Sequence, residues 1–347
     1  MKNFTSVTSG NQSALPDNGT VRTMLEDLIM QIASPILILL CLVGNTFCFI
    51  LIAQVCHVKD LVLHFRVISI ANMIAVLATM LEIWLMHTFN LVLRDLSGFW
   101  CKSQNVINYS SGDLAIWLKV AVTLDRFIVV WWPFQAKKLA TKSTWPVVIF
   151  LCTLSIIKNC SLLISRGLTD KNGTLVCESV TFIEFDKHIR PIIALITVNL
   201  IPIFLVLVLT VAIIVALTKH GAELDKMEEN IDPNKRRRTP SGLDQSKKNL
   251  KTTIILTLTM SIAFVVFTTP MFIVISYQEV SKVKKDHPKF FFLLKSIFQV
   301  LLMCHHSLDF YLYCIVSRVW RKGLLNLWYS CKEIWKRYWV ALLTHFA

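Results

Sequence analysis

Polar side chains recur on one face of a long apolar stretch between residues 98 and 134. Asn108 and Arg126 are about five helical turns apart, and Lys119 points within about 20° of the same direction. A helix from Cys101 to Arg126 would be about 38 Å long, close to the thickness of a bilayer with its headgroups. Because unpaired charge is costly in lipid, this stripe should face other helices or internal water.

A second group that could do chemistry is His305-His306 with Asp309. Adjacent histidines on a helix point about 100° apart and do not readily share one metal ion. Neither a nucleophile nor a third ligand can be identified beside them. The ten cysteines form no C-x-x-C pair and no zinc-like Cys/His spacing. We therefore expect neither an enzyme such as an intramembrane hydrolase, nor a metal, nor a cofactor.

The composition indicates a membrane protein. The mean hydropathy is +0.58 and 54% of the residues are apolar. Only 17% are charged, too few to cover a soluble globule of this length. The net charge of +14 comes from Lys and Arg in short segments between apolar runs. These residues indicate topology and contact with anionic lipid rather than nucleic-acid binding.

Seven apolar runs are each long enough for a spanning helix. They lie near 29–55, 66–90, 99–131, 145–165, 190–217, 250–277 and 290–314. Seven spans put the two ends on opposite sides of the membrane. The predicted organisation is an extracellular tail over 1–28, a seven-helix domain over 29–314, and an interfacial helix with cytoplasmic tail over 315–347.

Two polar segments set the predicted orientation. The tail carries the N-x-S/T sequons of Asn3, Asn11 and Asn18, which favour a glycosylated extracellular end. The basic loop 218–250 favours the cytoplasm, and its composition predicts disorder. Thr239 follows three arginines as in a basophilic kinase site, although such a match is also common by chance.

Two further segments carry local signals. Asn172-Gly173 is flanked by β-favouring residues, which predicts a β-hairpin between spans four and five, and Asn172 also begins a sequon. The segment 315–347 alternates basic and aromatic residues at helical spacing, which predicts an amphipathic helix in the inner interface. Cys331 within it is a palmitoylation candidate, with a free juxtamembrane cysteine as the simpler alternative.

The third span ends in Asp125-Arg126-Phe127 and then Trp132-Pro133-Phe134. At this distance from Cys101, it resembles the third helix of rhodopsin-like (class A) G-protein-coupled receptors. Other signature positions of that class occur in order: Gly44-Asn45, Trp145, Pro202, Phe264, Pro270 and Tyr313. The resemblance covers roughly residues 30 to 330.

The resemblance implies an all-α, seven-helix plasma-membrane receptor that binds an extracellular ligand and activates a heterotrimeric G protein through Asp125, Arg126 and Phe127. Cys101 and Cys177 are both predicted outside, where disulfides persist, so we pair them. Receptors of this class that bind peptides often hold a hairpin over the ligand site by such a bridge.

The chain departs from the family pattern at several buried positions. The usual residues are replaced by Asn72, Thr210, Leu250 and Thr268, and the seventh span lacks its proline at Phe310. Leu250 cannot pair with Arg126 as an acid would, so we expect appreciable basal signalling. Asn72 and Ala115 offer no charge or hydroxyl, so the family's sodium site should be weak or absent.

Lys119 replaces the leucine that the family places there, and a lysine at mid-membrane needs a partner. The implied fold makes Asp309 the nearest suitable carboxylate, with Asn72 close by. The alternative is that Lys119 snorkels or meets backbone carbonyls. A separation above about 6 Å would count against the pair. The predicted internal polar network comprises Asn45, Asn72, Lys119, Asp309 and Tyr313.

Asn108 occupies the position where amine receptors keep an aspartate, so a monoamine ligand is disfavoured. The hairpin and the polar pocket candidates favour a peptide. Those candidates are Glu82, His87, Asn105, Asn108 and Gln299. Glu82 is the best of them to meet a ligand cation, unless a neighbouring Lys or Arg pairs with it. The third span and following loop resemble neuropeptide receptors of the FMRFamide and related invertebrate groups.

Two other functions remain open. The altered motifs could mark a non-signalling decoy or scaffold receptor that keeps the same fold. A transporter would usually show internal repeats or paired Gly/Pro interruptions, and the chain holds only 10 Gly.

Overall fold

The computed structural model describes residues 24–55, 59–132, 144–171, 173–229, 258–274 and 288–346. Over these residues the protein is helical except for short connections and one two-stranded sheet. Helix α1 is Met24–Val55, and α2 joins the α-helical segments Lys59–Val76 and Glu82–Phe89 through the π-helical segment Leu77–Leu81. Helix α3 is Gly98–Trp131 and α4 is Trp145–Asn159.

Strands β1 (Arg166–Lys171) and β2 (Thr174–Ser179) follow α4. Helix α5 starts with the turns Phe185–Ile189, Arg190–Ala194 and Leu195–Leu200 and continues as Ile201–Glu229. Helix α6 is Leu258–Val274. Helix α7 joins Pro288–Ser307 to Asp309–Val316, and α8 is Arg318–Phe346.

Within the described residues, five helical runs are both long and apolar enough to cross a membrane. They are Met24–Val55, Val62–Phe89, Trp145–Ser165, Phe185–Lys219 and Phe290–Ser307. Helix α3 has 34 residues, about 51 Å, and is long enough to span but carries the polar stripe. Helix α6 is apolar and shorter over its described part. These helices fit the seven predicted spans.

Two boundaries differ from the prediction. Helix α1 starts at Met24, ahead of the apolar run, with Glu26 and Asp27 in its first turn, where negative charge favours a helix N-terminus. Helix α5 continues to Glu229. The first part of loop 218–250 is therefore helical rather than disordered, and residues 230–250 lie outside the described part.

Helix α3 is the centre of the bundle and packs against α2, α4 and α5, while α1 packs against α2 and α7. Close approach of α1 to α7 depends on Gly44. A Cβ atom there would lie 2.8 Å from Tyr311 Cε2 and 3.4 Å from the Ser307 carbonyl oxygen. The Tyr311 hydroxyl donates to the Leu40 carbonyl at 3.1 Å, so the ring is held across this contact.

The hairpin is antiparallel, with Arg166 opposite Ser179 and Lys171 opposite Thr174. Gly173 has a φ of +84°, as the predicted tight turn requires. Lys171 donates to Glu178, and this contact lowers the pKa of the Glu178 carboxyl. A disulfide between Cys101 and Cys177 joins β2 to the start of α3, which confirms the predicted pairing.

Helix α7 is interrupted at Leu308, although no proline is present there. The shorter helix Asp309–Val316 then leads into α8, which packs against α1. Trp320 of α8 is buried and lies 5.0 Å, centroid to centroid, from the ring of Tyr313. The start of α8 is therefore fixed by aromatic packing against the end of α7.

Candidate functional site

A cavity of ≈ 610 Å³ opens at the end of the bundle that carries the hairpin. Its walls come from helices α1 to α7, from Arg94 in the turn between α2 and α3, and from the first residue of β1. All five predicted pocket residues line it: Glu82, His87, Asn105, Asn108 and Gln299. The volume is within the range typical of small-ligand sites, roughly 300–1,000 Å³.

The two titratable pocket candidates already have partners in the protein. Glu82 Oε1 lies 3.3 Å from Arg94 Nε, and Gln104 donates to the other carboxylate oxygen. His87 Nδ1 lies 2.6 Å from Asp27 Oδ1 of helix α1. Glu82 therefore forms an ion pair with a neighbouring basic residue, which was the expected alternative to binding a ligand cation.

The two asparagines on α3 also make hydrogen bonds within the bundle. Asn105 Nδ2 donates to the Cys101 carbonyl at 3.0 Å, one turn earlier. Asn108 Oδ1 accepts from Thr79 Oγ1 of helix α2 at 2.7 Å. Asn108 therefore stabilises the contact between α2 and α3 as well as lining the cavity.

A second set of charged residues on the cavity wall escaped the sequence analysis. Asp113 of α3 is buried and lies 2.6 Å from Lys158 Nζ of α4. Asn159 Nδ2 donates to the same carboxylate at 2.7 Å. The sequence signal that could have indicated this pair is a carboxylate and a lysine that each lie inside an apolar run. Charges in such positions need partners.

A third set lies where α5 meets the hairpin. Arg190 donates from Nε and Nη2 to Asp186 Oδ1 at 2.8 and 2.6 Å. Arg190 Nη2 also donates to Ser161 Oγ at 3.0 Å, and Ser179 donates to Asp186. Arg166 Nε is 3.8 Å from the same carboxylate. One carboxylate therefore faces two guanidinium groups.

Below the cavity, Lys119 meets two acceptors on α7. Its Nζ lies 2.8 Å from Asp309 Oδ2, well inside the 6 Å limit, and 2.9 Å from His305 Nε2. An ammonium group can only donate, so Nε2 of His305 accepts and its Nδ1 carries the proton. The sequence suggested only a metal or acid–base role for this histidine, and its contact with Lys119 was not predicted.

Asn72 of α2 connects this pair to the rest of the core. Its Nδ2 donates to Asp309 Oδ2 and to Asn45 Oδ1, each at 3.2 Å. Its Oδ1 lies 2.8 Å from His306 Nδ1. Asn45 in turn donates to the carbonyls of Cys41 and His306. The network thus joins α1, α2, α3 and α7, and His306 also lines the cavity.

Tyr313, which was predicted to belong to this network, places its ring in an adjoining apolar cluster. Its nearest ring neighbours are Trp320 at 5.0 Å and Phe65 at 5.8 Å between centroids. The cluster also contains Leu51 and Phe310 and closes the lower side of the polar network.

The sequence matches the family model described as 7 transmembrane receptor (rhodopsin family) over residues 37–313. The match covers most of the chain and every spanning helix in whole or part. The protein belongs to the rhodopsin family of seven-transmembrane receptors. No curated protein matches this receptor's sequence. Family and helices together make it a multi-pass protein of the plasma membrane.

At the opposite end of the receptor from the hairpin, Asp125 Oδ2 lies 3.5 Å from Nδ1 of the buried His64. Arg126 is half-buried, and Phe127 packs against Trp131 and Trp132 with centroids 6.0 and 5.5 Å away. The first residue of the Asp125-Arg126-Phe127 motif therefore points its carboxylate toward α2.

Helix α5 contacts its neighbours at this end through polar groups. Trp131 Nε1 donates to the Ala212 carbonyl at 3.0 Å. Thr210, which replaces the family's tyrosine, lies 2.7 Å from Ser261 of α6 between hydroxyl oxygens.

Several predicted sites lie outside the described residues. These are the glycosylation candidates Asn3, Asn11, Asn18 and Asn172, the phosphorylation candidate Thr239, and Leu250. Cys331 lies on helix α8.

Proposed function

We propose that this receptor binds an extracellular peptide in the ≈ 610 Å³ cavity and activates a heterotrimeric G protein at its opposite end. The observation that supports a peptide is the polar and charged wall of the cavity beneath a disulfide-tethered hairpin. A peptide offers backbone amides, charged termini and apolar side chains to such a mixed surface.

The geometry argues against a monoamine. The α3 position that would hold an amine-binding carboxylate is Asn108, whose oxygen accepts from Thr79. Glu82 faces Arg94, and Asp113 faces Lys158. Each of these carboxylates therefore already has a basic partner, and a ligand ammonium would have to displace it.

In this proposal the hairpin end faces outward and the chain's N-terminus is extracellular. Asn3, Asn11, Asn18 and Asn172 would then be open to glycosylation, and Thr239 and Cys331 to cytoplasmic phosphorylation and palmitoylation. On activation, the cytoplasmic part of α6 would move outward about Pro270 and free Arg126 for the G protein.

The test is guanine-nucleotide exchange by purified G proteins with receptor reconstituted in nanodiscs. A peptide library is added in pools, and each receptor sample is paired with Arg126→Ala as a matched control. The proposal predicts peptide-dependent exchange for the natural receptor and little exchange for the variant. Basal exchange above that of empty nanodiscs would support the expected ligand-independent signalling.

A second candidate is a receptor that binds ligand without signalling, as a decoy or scaffold. The observation in its favour is that α3 and α7 are joined by a buried ion pair, a contact that could oppose rearrangement of these helices. Peptide binding without exchange for any G-protein class would support this candidate. Ligand-independent flux in liposomes would instead support a transporter.

A further inference from the structure

Among the residues that the structure describes, the charged side chains on the cavity wall form two groups. On the side of α1, α2 and α7, acidic and basic residues are equal in number: Glu26, Glu82, Arg94 and Lys295. On the side of α3, α4, α5 and the hairpin, basic residues outnumber acidic ones: Lys158, Arg166 and Arg190 against Asp113 and Asp186. The second side therefore carries one positive charge in excess.

The contacts identify which residue carries that excess. Lys158 is matched by Asp113 at 2.6 Å, and Arg190 by Asp186 at 2.6 Å. Arg166 Nε is 3.8 Å from Asp186, beyond hydrogen-bond distance, and it is a buried N–H group that makes no hydrogen bond to any described residue. A buried N–H group left without an acceptor is unfavourable, because it has lost its hydrogen bonds to water without replacing them.

We propose that Arg166 binds a carboxylate of the ligand at the wall of the cavity formed by α5 and the hairpin. This rests on the proposed function, since it names the chemistry by which the same cavity takes its peptide. A guanidinium group suits this task because its planar N–H donors can bind a carboxylate through two parallel hydrogen bonds. The carboxylate would supply the missing acceptor and balance the excess charge.

The carboxylate can be the C-terminus of the peptide or an Asp or Glu side chain. Active library peptides are therefore remade in matched forms: free acid against C-terminal amide, and Glu against Gln or Asp against Asn. We expect one of these changes to lower potency on the natural receptor by roughly tenfold to a hundredfold, as for loss of a charge-assisted hydrogen bond. Whichever change has this effect identifies the source.

Two variants test the residue. Arg166→Gln should remove the preference for the acidic form, whereas Asp186→Asn should increase it because the competing carboxylate is gone. Misfolding of the two variants would not shift the preference for the acidic form of the peptide in opposite directions. Lys171→Gln is the matched control, since Lys171 contributes an equal charge to the same hairpin but pairs with Glu178. It should keep the natural preference.

A measurement without peptides separates this inference from the proposed function. N-acetylphenylalanine and its amide are added to purified receptor, and the unfolding temperature is followed. The acid should raise that temperature in the natural receptor and in Lys171→Gln, but not in Arg166→Gln, while the amide should have no effect. Equal effects of acid and amide, or an unchanged preference in Arg166→Gln, would overturn the carboxylate site even if peptides activate the receptor.

Discussion

Lys119 is the residue whose partners decide the character of the receptor's core. Its ammonium contacts Asp309 and His305, and Asn72 donates to the same Asp309 oxygen. Burying one charge without the other is costly, so each member of the pair depends on its partner. The family pattern normally has leucine at this position, whereas here a basic side chain lies beside a buried carboxylate.

Removing one member of the pair should cost more than removing both. Lys119→Met leaves the Asp309 carboxylate buried without its cation and should destabilise the receptor by about 3–5 kcal/mol. Lys119→Met with Asp309→Asn should restore part of that loss, because neither charge remains. Thermal unfolding of the two single variants and the double variant in nanodiscs measures the coupling. Additive losses would show that the two groups do not stabilise each other.

The Lys119 ammonium should also make the receptor insensitive to sodium, since it occupies the acidic site that a sodium ion would need. Exchanging sodium for choline should leave the unfolding temperature of the natural receptor unchanged. In Lys119→Leu the carboxylate is free, and sodium at ten times its Kd would stabilise by about 1.4 kcal/mol. A sodium effect in the natural receptor, or on agonist affinity, would contradict this assignment.

At the scale of elements, helices α1 and α7 approach each other closely at Gly44. Among the helix contacts that the described residues make at a glycine, this one should tolerate an added methyl group least. Gly44→Ala would bring a methyl group to 2.8 Å from Tyr311 Cε2. Moving that ring also strains its hydrogen bond to Leu40, so a loss of about 1–3 kcal/mol is expected.

Gly112→Ala is the matched control for that change, because a Cβ atom there has no atom of the described residues within 4 Å. Alanine in a helix interior is favoured over glycine by about 1 kcal/mol, so this variant should equal or exceed the natural receptor in stability. Unfolding temperatures of the two variants provide the comparison. Equal values would mean that α1 and α7 are not held at the distance found.

The elements were largely predictable because each depends on local sequence. Apolar length predicts the spans, Asn172-Gly173 predicts the hairpin, and the placement of Cys101 and Cys177 outside the membrane predicts the disulfide. The continuation of α5 to Glu229 was not predictable from polarity alone. A helix leaving the membrane needs no apolar face, so its composition resembles that of a loop.

Partners between elements were harder to predict. The pair of Lys119 with Asp309 followed from family resemblance, which supplies the neighbourhood of helices. Family resemblance did not predict the pairs of Asp113 with Lys158 and of Arg166 with Asp186. Nothing in the sequence says which faces of α3, α4 and the hairpin meet. Tyr313 illustrates the same limit, since its packing against Trp320 of α8 was not predicted.

At the scale of the whole molecule, the cavity and the polar core share one side chain. His306 lines the cavity, and its Nδ1 contacts Asn72, which in turn contacts Asp309. A ligand that moves His306 would therefore change the hydrogen bonds that join α2, α3 and α7. We expect this histidine to couple ligand binding to the arrangement of the helices.

Two substitutions test that coupling without a known ligand. His306→Gln keeps an amide donor that can reach Asn72, whereas His306→Phe removes it and leaves the Asn72 oxygen without its partner. Basal nucleotide exchange should therefore change severalfold in His306→Phe and stay near the natural level in His306→Gln, at equal surface expression. If exchange stays at the natural level in both variants, the contact only supports the fold. Equal changes in both variants would contradict coupling through this hydrogen bond alone, because glutamine preserves the donor and phenylalanine preserves an aromatic ring beside His305, whose ring lies 5.1 Å from that of His306.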